Sequence, residues 1–268
     1  MNMKTIRLLL AGAIGVLLAL PATTKAQEKV TPTVGLDLVS HYMWRGTDMG
    51  GISVLPYGKL GWHDFSAQLW GSTGFDNDDA KRLNITLGYK YKMFNIGVTD
   101  YWTSGMDYSG RSLYFEWDPV KNGHQLEANI GVDFGFLSLQ AYTMVWGNDF
   151  KYKTQVDTQY RLDGERAFST YIEARFPFYA AGLDWDICAG ITPFESAYGV
   201  AEGGSIAGLT IMERQHFYAD KTALIMASIR ATKRLEFGDI KVPLFAELHT
   251  NPYMKKANLL VGVSVQPF

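Results

Sequence analysis

The sequence is poor in cysteine and in recognisable catalytic motifs. Cys188 is the one cysteine among 268 residues, which excludes an internal disulfide framework and any cysteine-rich metal site. We expect its side chain to be a small buried or lipid-facing group. No Gly-x-Ser-x-Gly elbow, His-Glu-x-x-His pair or glycine-rich phosphate loop is present. These absences weigh against an enzyme, and we predict no cofactor and no metal site.

Long apolar runs are equally scarce. Residues 1–26 read as a cleaved signal peptide, with Lys4 and Arg7 before an apolar run at 8–20 and a small-residue site ending at Ala26. An uncleaved anchor is the alternative. Beyond this leader no segment approaches the roughly 18 apolar residues that a membrane-spanning helix needs. The fold is therefore expected in one domain, residues 27–268.

Positive charge is also in short supply. Loss of Lys4, Arg7 and Lys25 with the leader leaves 22 of the 25 basic residues against 27 acidic ones, a net charge of about −5. Nucleic acid is therefore not an expected partner. Mean hydropathy is −0.07 with 47% hydrophobic residues, too polar for a helical membrane protein. In a transmembrane β-barrel, apolar lipid-facing residues alternate with polar lumen-facing ones, so its mean hydropathy is compatible with these values.

Residues 82–92 show that alternation most clearly. The apolar positions are Leu83, Ile85, Leu87, Tyr89 and Tyr91. The positions between them carry charge, amide, hydroxyl or glycine. Since successive side chains of a strand point to opposite faces, this segment has one face for lipid and one for water.

The same pattern recurs along the chain and predicts about twelve strands. They cover residues 33–45, 54–62, 65–73, 82–92, 94–102, 124–134, 136–146, 167–177, 182–192, 222–234, 240–250 and 257–266. Short and long connections alternate between them, with long ones at 46–53, 74–81, 103–123, 147–166, 193–221 and 251–256. This is typical of an all-β, up-and-down antiparallel barrel in the outer membrane of a Gram-negative bacterium, with both termini in the periplasm. Residues 111–117 also look strand-like; fourteen strands are the alternative, but we favour an excursion of the third external loop.

Aromatic residues are expected to form girdles at the two membrane interfaces. One end of the first strand would contribute Tyr42 and Trp44. The short-turn side would contribute Trp62, Tyr89, Tyr91, Phe94, Phe176 and Phe178. Asp100 falls on the outward phase of its strand, a position tolerated near an interface or beside a bulge.

Residues 40–46, Ser-His-Tyr-Met-Trp-Arg-Gly, resemble the Ser-x-Tyr-x-x-Arg-Gly opening of a family of uncharacterised Gram-negative outer-membrane barrel proteins. Trp70, Gly71 and Ser72, residues 124–127 and 169–173, and a last strand ending in Phe268 are also similar to that family. The resemblance implies an outer-membrane barrel and contact of the terminal strand with the barrel assembly machinery. It implies little about cargo.

The inward phase of the alternation supplies candidate pore-lining residues of both charges. These are Asp37, His41, Arg45, Lys59, Lys90, Glu127, Asp133, Glu173, Arg175, Asp184, Asp186, Arg230, Lys241 and Glu247. The turn at 178–182 would place Arg175 beside Asp184 and Asp186, and the turn at 236–239 would bring Arg230 near Glu247. We favour a structural role for such pairs over a functional pore ring.

Two features near the loops admit alternatives. Arg45 would either guard a pore mouth or clamp a loop acid such as Asp48, and we favour the clamp. The acidic loops would either bind a divalent cation or remain solvated, and without EF-hand spacing we favour solvation. Their acids are Asp76, Asp78, Asp79 and Asp107.

The functional prediction is a narrow passive channel for small polar solutes or ions, surrounded by outer-membrane lipid. One alternative is a lipid-active barrel enzyme, which needs a serine and a histidine together at the membrane rim. Ser40 and His41 lie on opposite faces, and His249 has no evident serine partner. The other alternative is a plugged barrel whose external loops form a surface binding or adhesion module.

Overall fold

The computed structural model describes residues 30–76, 81–104, 114–117, 123–147, 149–152, 162–206, 209–237 and 240–266. The predicted signal peptide lies outside these ranges. So do Asp78, Asp79, Asp107 and Phe268. Within these ranges no helix is long and apolar enough to span a membrane.

Twelve antiparallel strands form a closed barrel in which each strand pairs with its neighbours in sequence and the first pairs with the last. They are β1 (Thr31–Val39), β2 (Ser53–Trp62), β3 (Phe65–Gly74), β4 (Arg82–Tyr91), β5 (Phe94–Thr103), β6 (His124–Asp133), β7 (Ser138–Gly147), β8 (Thr170–Ala180), β9 (Leu183–Thr192), β10 (Ala223–Phe237), β11 (Ile240–Asn251) and β12 (Lys256–Val265). The predicted twelve-strand barrel is confirmed, and residues 114–117 of the strand-like segment lie outside its wall.

Alternation of side chains separates the two faces of this wall. On β4, Ile85 and Leu87 are exposed on the outside, whereas Arg82 and Asn84 are buried on the inside. The register carries the pattern to the next strand, where Thr86 faces Thr99 and their hydroxyls hydrogen-bond at 3.0 Å inside the barrel. Apolar side chains thus cover the exterior and polar ones fill the interior.

The predicted girdle on the short-turn side lies on the outer face of the wall, and most of its rings are exposed. Trp62 is 46% exposed, Tyr91 53% and Phe94 58%. Phe65 lies with them, its ring 4.8 Å from that of Tyr89. Large rings at one level of the outer wall match an interfacial belt.

The connections differ between the two rims. At one rim, here the turn rim, lie the strand ends that residues 63–64, 92–93, 134–137, 181–182 and 238–239 join in the sequence. At the other, the long-loop rim, lie the strand ends that residues 40–52, 75–81, 104–123, 148–169, 193–222 and 252–255 join. The last of these is much shorter than the rest of its set. His63 and Lys92 take positive φ values of 50° and 54°, the left-handed conformation that two-residue hairpin turns of this kind require.

Strand β1 ends at Val39, not at residue 45 as predicted. The chain then forms a small two-stranded sheet, Tyr42–Trp44 paired with Thr47–Gly50, which we name the inner hairpin. Arg45 and Gly46 form its two-residue turn with φ values of 49° and 81°. Two further two-stranded sheets belong to long-loop connections: Phe150–Tyr152 with Leu162–Arg166, and Tyr198–Ile206 with Leu209–His216.

Asp100 faces outward, as its phase predicts, and is paired there. His124 Nδ1 lies 2.9 Å from its carboxylate, and His124 Nε2 lies 2.6 Å from the carbonyl oxygen of Tyr114. Trp117 stacks on the imidazole with centroids 4.2 Å apart. The loop residues 114–117 therefore cover this polar pair on the outer wall near the long-loop rim.

Candidate functional site in the lumen

The inner hairpin lies inside the barrel and corrects the prediction for two aromatics. Tyr42 and Trp44 were expected in an outer girdle, but Tyr42 is 6% exposed and both line the interior cavity. Tyr42 packs on Trp70, an inward residue of β3, with centroids 5.5 Å apart. Alternation continues in phase through residues 40–45, so the pattern could not show that the chain leaves the wall and turns inward.

Arg45 anchors the hairpin to the opposite wall. Its Nη1 and Nη2 donate to the two carboxylate oxygens of Glu127 at 2.5 and 2.9 Å. The guanidinium is 4.2 Å from the ring centroid of Tyr142 and 4.6 Å from that of Tyr171. The clamp predicted for Arg45 exists, but the partner Asp48 was wrong: Asp48 accepts from the backbone N–H of Gly50 within its own turn.

Strand β11 of the wall also binds the hairpin, at its turn. The N–H of Gly46 donates to His249 Nε2 at 3.1 Å, and Asn251 Nδ2 donates to the carbonyl oxygen of Gly46. Since Nε2 accepts here, Nδ1 of His249 carries the proton and donates to Glu247 at 2.8 Å. A Cβ on Gly46 would lie 1.9 Å from the carbonyl oxygen of Ile225, so only glycine fits this contact.

The connection between β9 and β10 closes the same half of the lumen. Phe217 and Tyr218 pack on Trp44, and the Tyr218 hydroxyl accepts from Arg45 at 2.6 Å. Burial raises the pKa of the Tyr218 phenol, against the lowering effect of Arg45, so its hydroxyl is protonated at neutral pH. Sequence reasoning missed Tyr218 because no periodic pattern marks its segment.

Arg82 is a further charged residue that the sequence reading did not single out. It is 4% exposed, and its guanidinium lies over Trp44 at 4.5 Å and Tyr101 at 5.1 Å. The Tyr42 hydroxyl is 3.3 Å from its Nη1. Among the described residues no carboxylate pairs with Arg82, so aromatic faces stabilise this buried cation.

Toward the turn rim the inward charges form pairs along one wall. Arg175 Nη1 donates to Asp186 at 2.6 Å, as predicted. Arg230 and Glu247, direct partners in register, are joined at 2.6 Å. The second partner predicted for Arg175, Asp184, pairs instead with Arg234 at 2.5 Å.

These groups surround a cavity of about 450 Å³ between the hairpin and the turn rim. Of the predicted pore-lining residues, those that contribute to its lining are Asp37, His41, Arg45, Glu173, Arg175, Asp186, Arg230 and Glu247. Lys59, Lys90, Asp133 and Asp184 lie outside this lining, and Lys90 pairs with Asp133 at 3.3 Å in an exposed position near the turn rim. Glu127 lies above the cavity in its pair with Arg45, and the Lys241 side chain lies outside the described part of the structure.

A hydrolytic pair does not form at the candidate histidine. Ser228 is the register partner of His249, yet both imidazole nitrogens of His249 are occupied, by Glu247 and by the N–H of Gly46. Both residues also face the lumen and not the membrane rim. Within the described ranges, no three His, Cys, Asp or Glu residues group as metal ligands.

No protein-family model and no curated protein matches the sequence. Similar solved structures include the NanC porin, with 9% identity, TM-score 0.44, and coverage of 88% of this chain and 98% of that one. An outer membrane channel from Pseudomonas putida has 12% identity, TM-score 0.40, and coverage of 92% and 98%. Pseudomonas aeruginosa OpdF has 10% identity, TM-score 0.33, and coverage of 91% and 67%. At these identities and TM-scores the likeness carries nothing about the solute of this protein.

Proposed function

We propose that the protein is an outer-membrane barrel that acts as a narrow passive channel for small polar solutes or ions. The observation that carries this proposal is the polar cavity of about 450 Å³ inside a closed wall whose exterior is apolar. Charged side chains of both signs line it, and such a lining holds water and excludes lipid. A barrel that served only as a scaffold would fill this space with packed side chains.

The orientation follows from the connections. Outer-membrane barrels place short turns in the periplasm and long loops outside. The turn rim is accordingly the periplasmic rim and carries both ends of the barrel wall, at Thr31 and Val265. The C-terminal segment that includes Phe268 would engage the assembly machinery.

The inner hairpin is the constriction of this channel. It crosses the lumen from β1 to β6 and β11, and its anchors are buried: the side chains of Arg45 and Glu127 are 8% and 1% exposed. A solute entering from the long-loop rim must pass the hairpin before it reaches the cavity. Strong anchoring also favours a second candidate, a plugged barrel whose outer loops bind a surface partner.

Planar-bilayer recording of refolded protein separates the two candidates. Glu127→Gln loosens the hairpin, and Arg234→Gln, which alters a pair near the turn rim, is the matched control; heat-dependent gel mobility verifies that each barrel has folded. The channel proposal expects discrete steps in the unmodified protein that grow in Glu127→Gln and stay unchanged in the control. Conductance steps that appear in Glu127→Gln but not in the other two proteins favour the plugged barrel. The absence of conductance steps in all three proteins overturns the channel.

A further inference from the structure

Two charged groups of the cavity below the inner hairpin, one acidic and one basic, keep hydrogen-bonding capacity that no described residue uses. Asp37, on β1, accepts a 2.6 Å hydrogen bond from the Ser264 hydroxyl, and no cation pairs with it among the described residues. An ionised carboxylate has room for further donors. In a wet cavity, this group presents negative charge to any solute that enters.

Arg230 presents the complementary group from β10. Its Nε donates to Glu247, while its two Nη groups have no acceptor in the described part of the barrel. The side chain is 42% exposed, so these donors face the cavity. A guanidinium with two free Nη groups is suited to a planar carboxylate.

The position of Arg230 is fixed before any solute arrives. Its guanidinium lies 4.2 Å from the ring centroid of Phe245, and that ring lies across Gly262, where a Cβ would be 2.3 Å from the ring carbon Cζ. Glycine at 262 therefore makes room for the ring that supports the arginine. Such a preorganised group loses little freedom when it binds.

The other cavity charges disfavour ligands of a single sign. Arg175 is held by Asp186 and lies 3.6 Å from the carboxylate of Glu173. Glu247 bonds both Arg230 and His249. A plain anion at Arg230 would meet the carboxylates of Glu247 and Asp186, and a plain cation at Asp37 would leave the free arginine donors unused. A solute with both charges satisfies both groups.

We infer that the cavity is a binding site for small zwitterions, with Asp37 receiving the ammonium group and Arg230 the carboxylate. This inference rests on the proposed function, since it names the solute class of the same lumen. A volume of about 450 Å³ falls in the range of small-molecule pockets. The site also explains why Arg230, paired with Glu247 through Nε alone, leaves both Nη groups open to the cavity.

Equilibrium binding in detergent tests the inference without relying on conduction. Three probes of similar size differ in charge: glycylglycine is a zwitterion, N-acetylglycine an anion and glycylglycinamide a cation. Calorimetric titration, supported by intrinsic tryptophan fluorescence to which the cavity residue Trp44 contributes, should show glycylglycine binding roughly tenfold or more tighter than either of the other two.

Two variants assign the groups. Asp37→Asn keeps the Ser264 contact and should reduce glycylglycine affinity to that of N-acetylglycine, while Arg230→Gln should reduce it to that of glycylglycinamide. Lys59→Gln, an inward charge outside the cavity lining, should change nothing. Equal affinity for the three probes, absence of binding to the folded barrel, or an unchanged preference in both variants overturns the inference. Channel conductance measured separately decides the proposed function, so the two failures are distinguishable.

Discussion

The two halves of the lumen contain ion pairs of the same chemistry in opposite surroundings. Toward the long-loop rim, Arg45 and Glu127 are enclosed by aromatic rings and nearly inaccessible to water. Toward the turn rim, the Arg234 and Lys90 side chains are 71% and 58% exposed in their pairs with Asp184 and Asp133. The inward phase of the strands places charge in both halves, but the inner hairpin, Tyr218 and the rings of the wall exclude water from one of them. Burial, not the presence of a pair, therefore distinguishes the half that holds the hairpin from the half that holds the exposed pairs.

Breaking the buried pair should have the largest effect on this contrast. Glu127→Gln leaves the Arg45 guanidinium enclosed without a counter-charge, which costs about 3–5 kcal/mol. We expect the variant to unfold at a lower urea concentration, as measured by tryptophan fluorescence of the refolded barrel. We also expect the hairpin to be released.

A double variant provides the control for that experiment. Arg45→Met with Glu127→Leu removes both charges and retains apolar volume, and buried pairs replaced in this way often lose little stability. The double variant should therefore be more stable than Glu127→Gln alone. If its urea midpoint falls as far as that of Glu127→Gln, an uncompensated buried charge is not what destabilises the single variant.

The contact of the hairpin turn with the wall provides the second test. In Gly46→Ala the new Cβ would clash with the Ile225 carbonyl at 1.9 Å, in a backbone with φ of 81°. Gly135→Ala, at φ of 86° with nothing within 4 Å of its Cβ, isolates the conformational cost of about 1–2 kcal/mol. We expect Gly46→Ala to lower the urea midpoint further than Gly135→Ala and to enlarge the conductance steps, which Gly135→Ala should leave unchanged. Equal effects of the two variants would show that the hairpin is not tightly seated.

The sequence predicted the barrel wall well and the inner hairpin poorly, for a physical reason. A period of two follows from a strand with lipid on one side and water on the other, so it identified all twelve barrel strands. The inner hairpin lies inside the barrel, where neither of its faces meets lipid, so it has no such contrast. Residues 40–45 continue the alternation of β1, so Tyr42 and Trp44 looked lipid-facing. Gly46 and the Gly50-Gly51 pair were the local turn signals available.

The ion pairs divide in the same way, into those between neighbouring strands, which the sequence predicts, and the one that the inner hairpin makes, which it does not. Arg175 with Asp186 and Arg230 with Glu247 were predictable because neighbouring strands and short turns fix their register. Arg45 with Glu127 joins residues 82 positions apart, through a loop that folds into the lumen. No strand pairing links these two residues, so only the closed barrel reveals their contact.

The smallest expected effect comes from the exposed pair near the turn rim. Arg234→Gln removes a salt bridge to Asp184 whose side chains are 71% and 33% exposed, and exposed pairs contribute about 0–1 kcal/mol because water and salt screen them. The urea midpoint should therefore shift little, and less still at high salt, whereas the loss in Glu127→Gln should persist when salt is added. A loss for Arg234→Gln as large as that for Glu127→Gln would mean that the turn half is also closed to water, and the contrast between a buried and a hydrated half of the lumen would have to be abandoned.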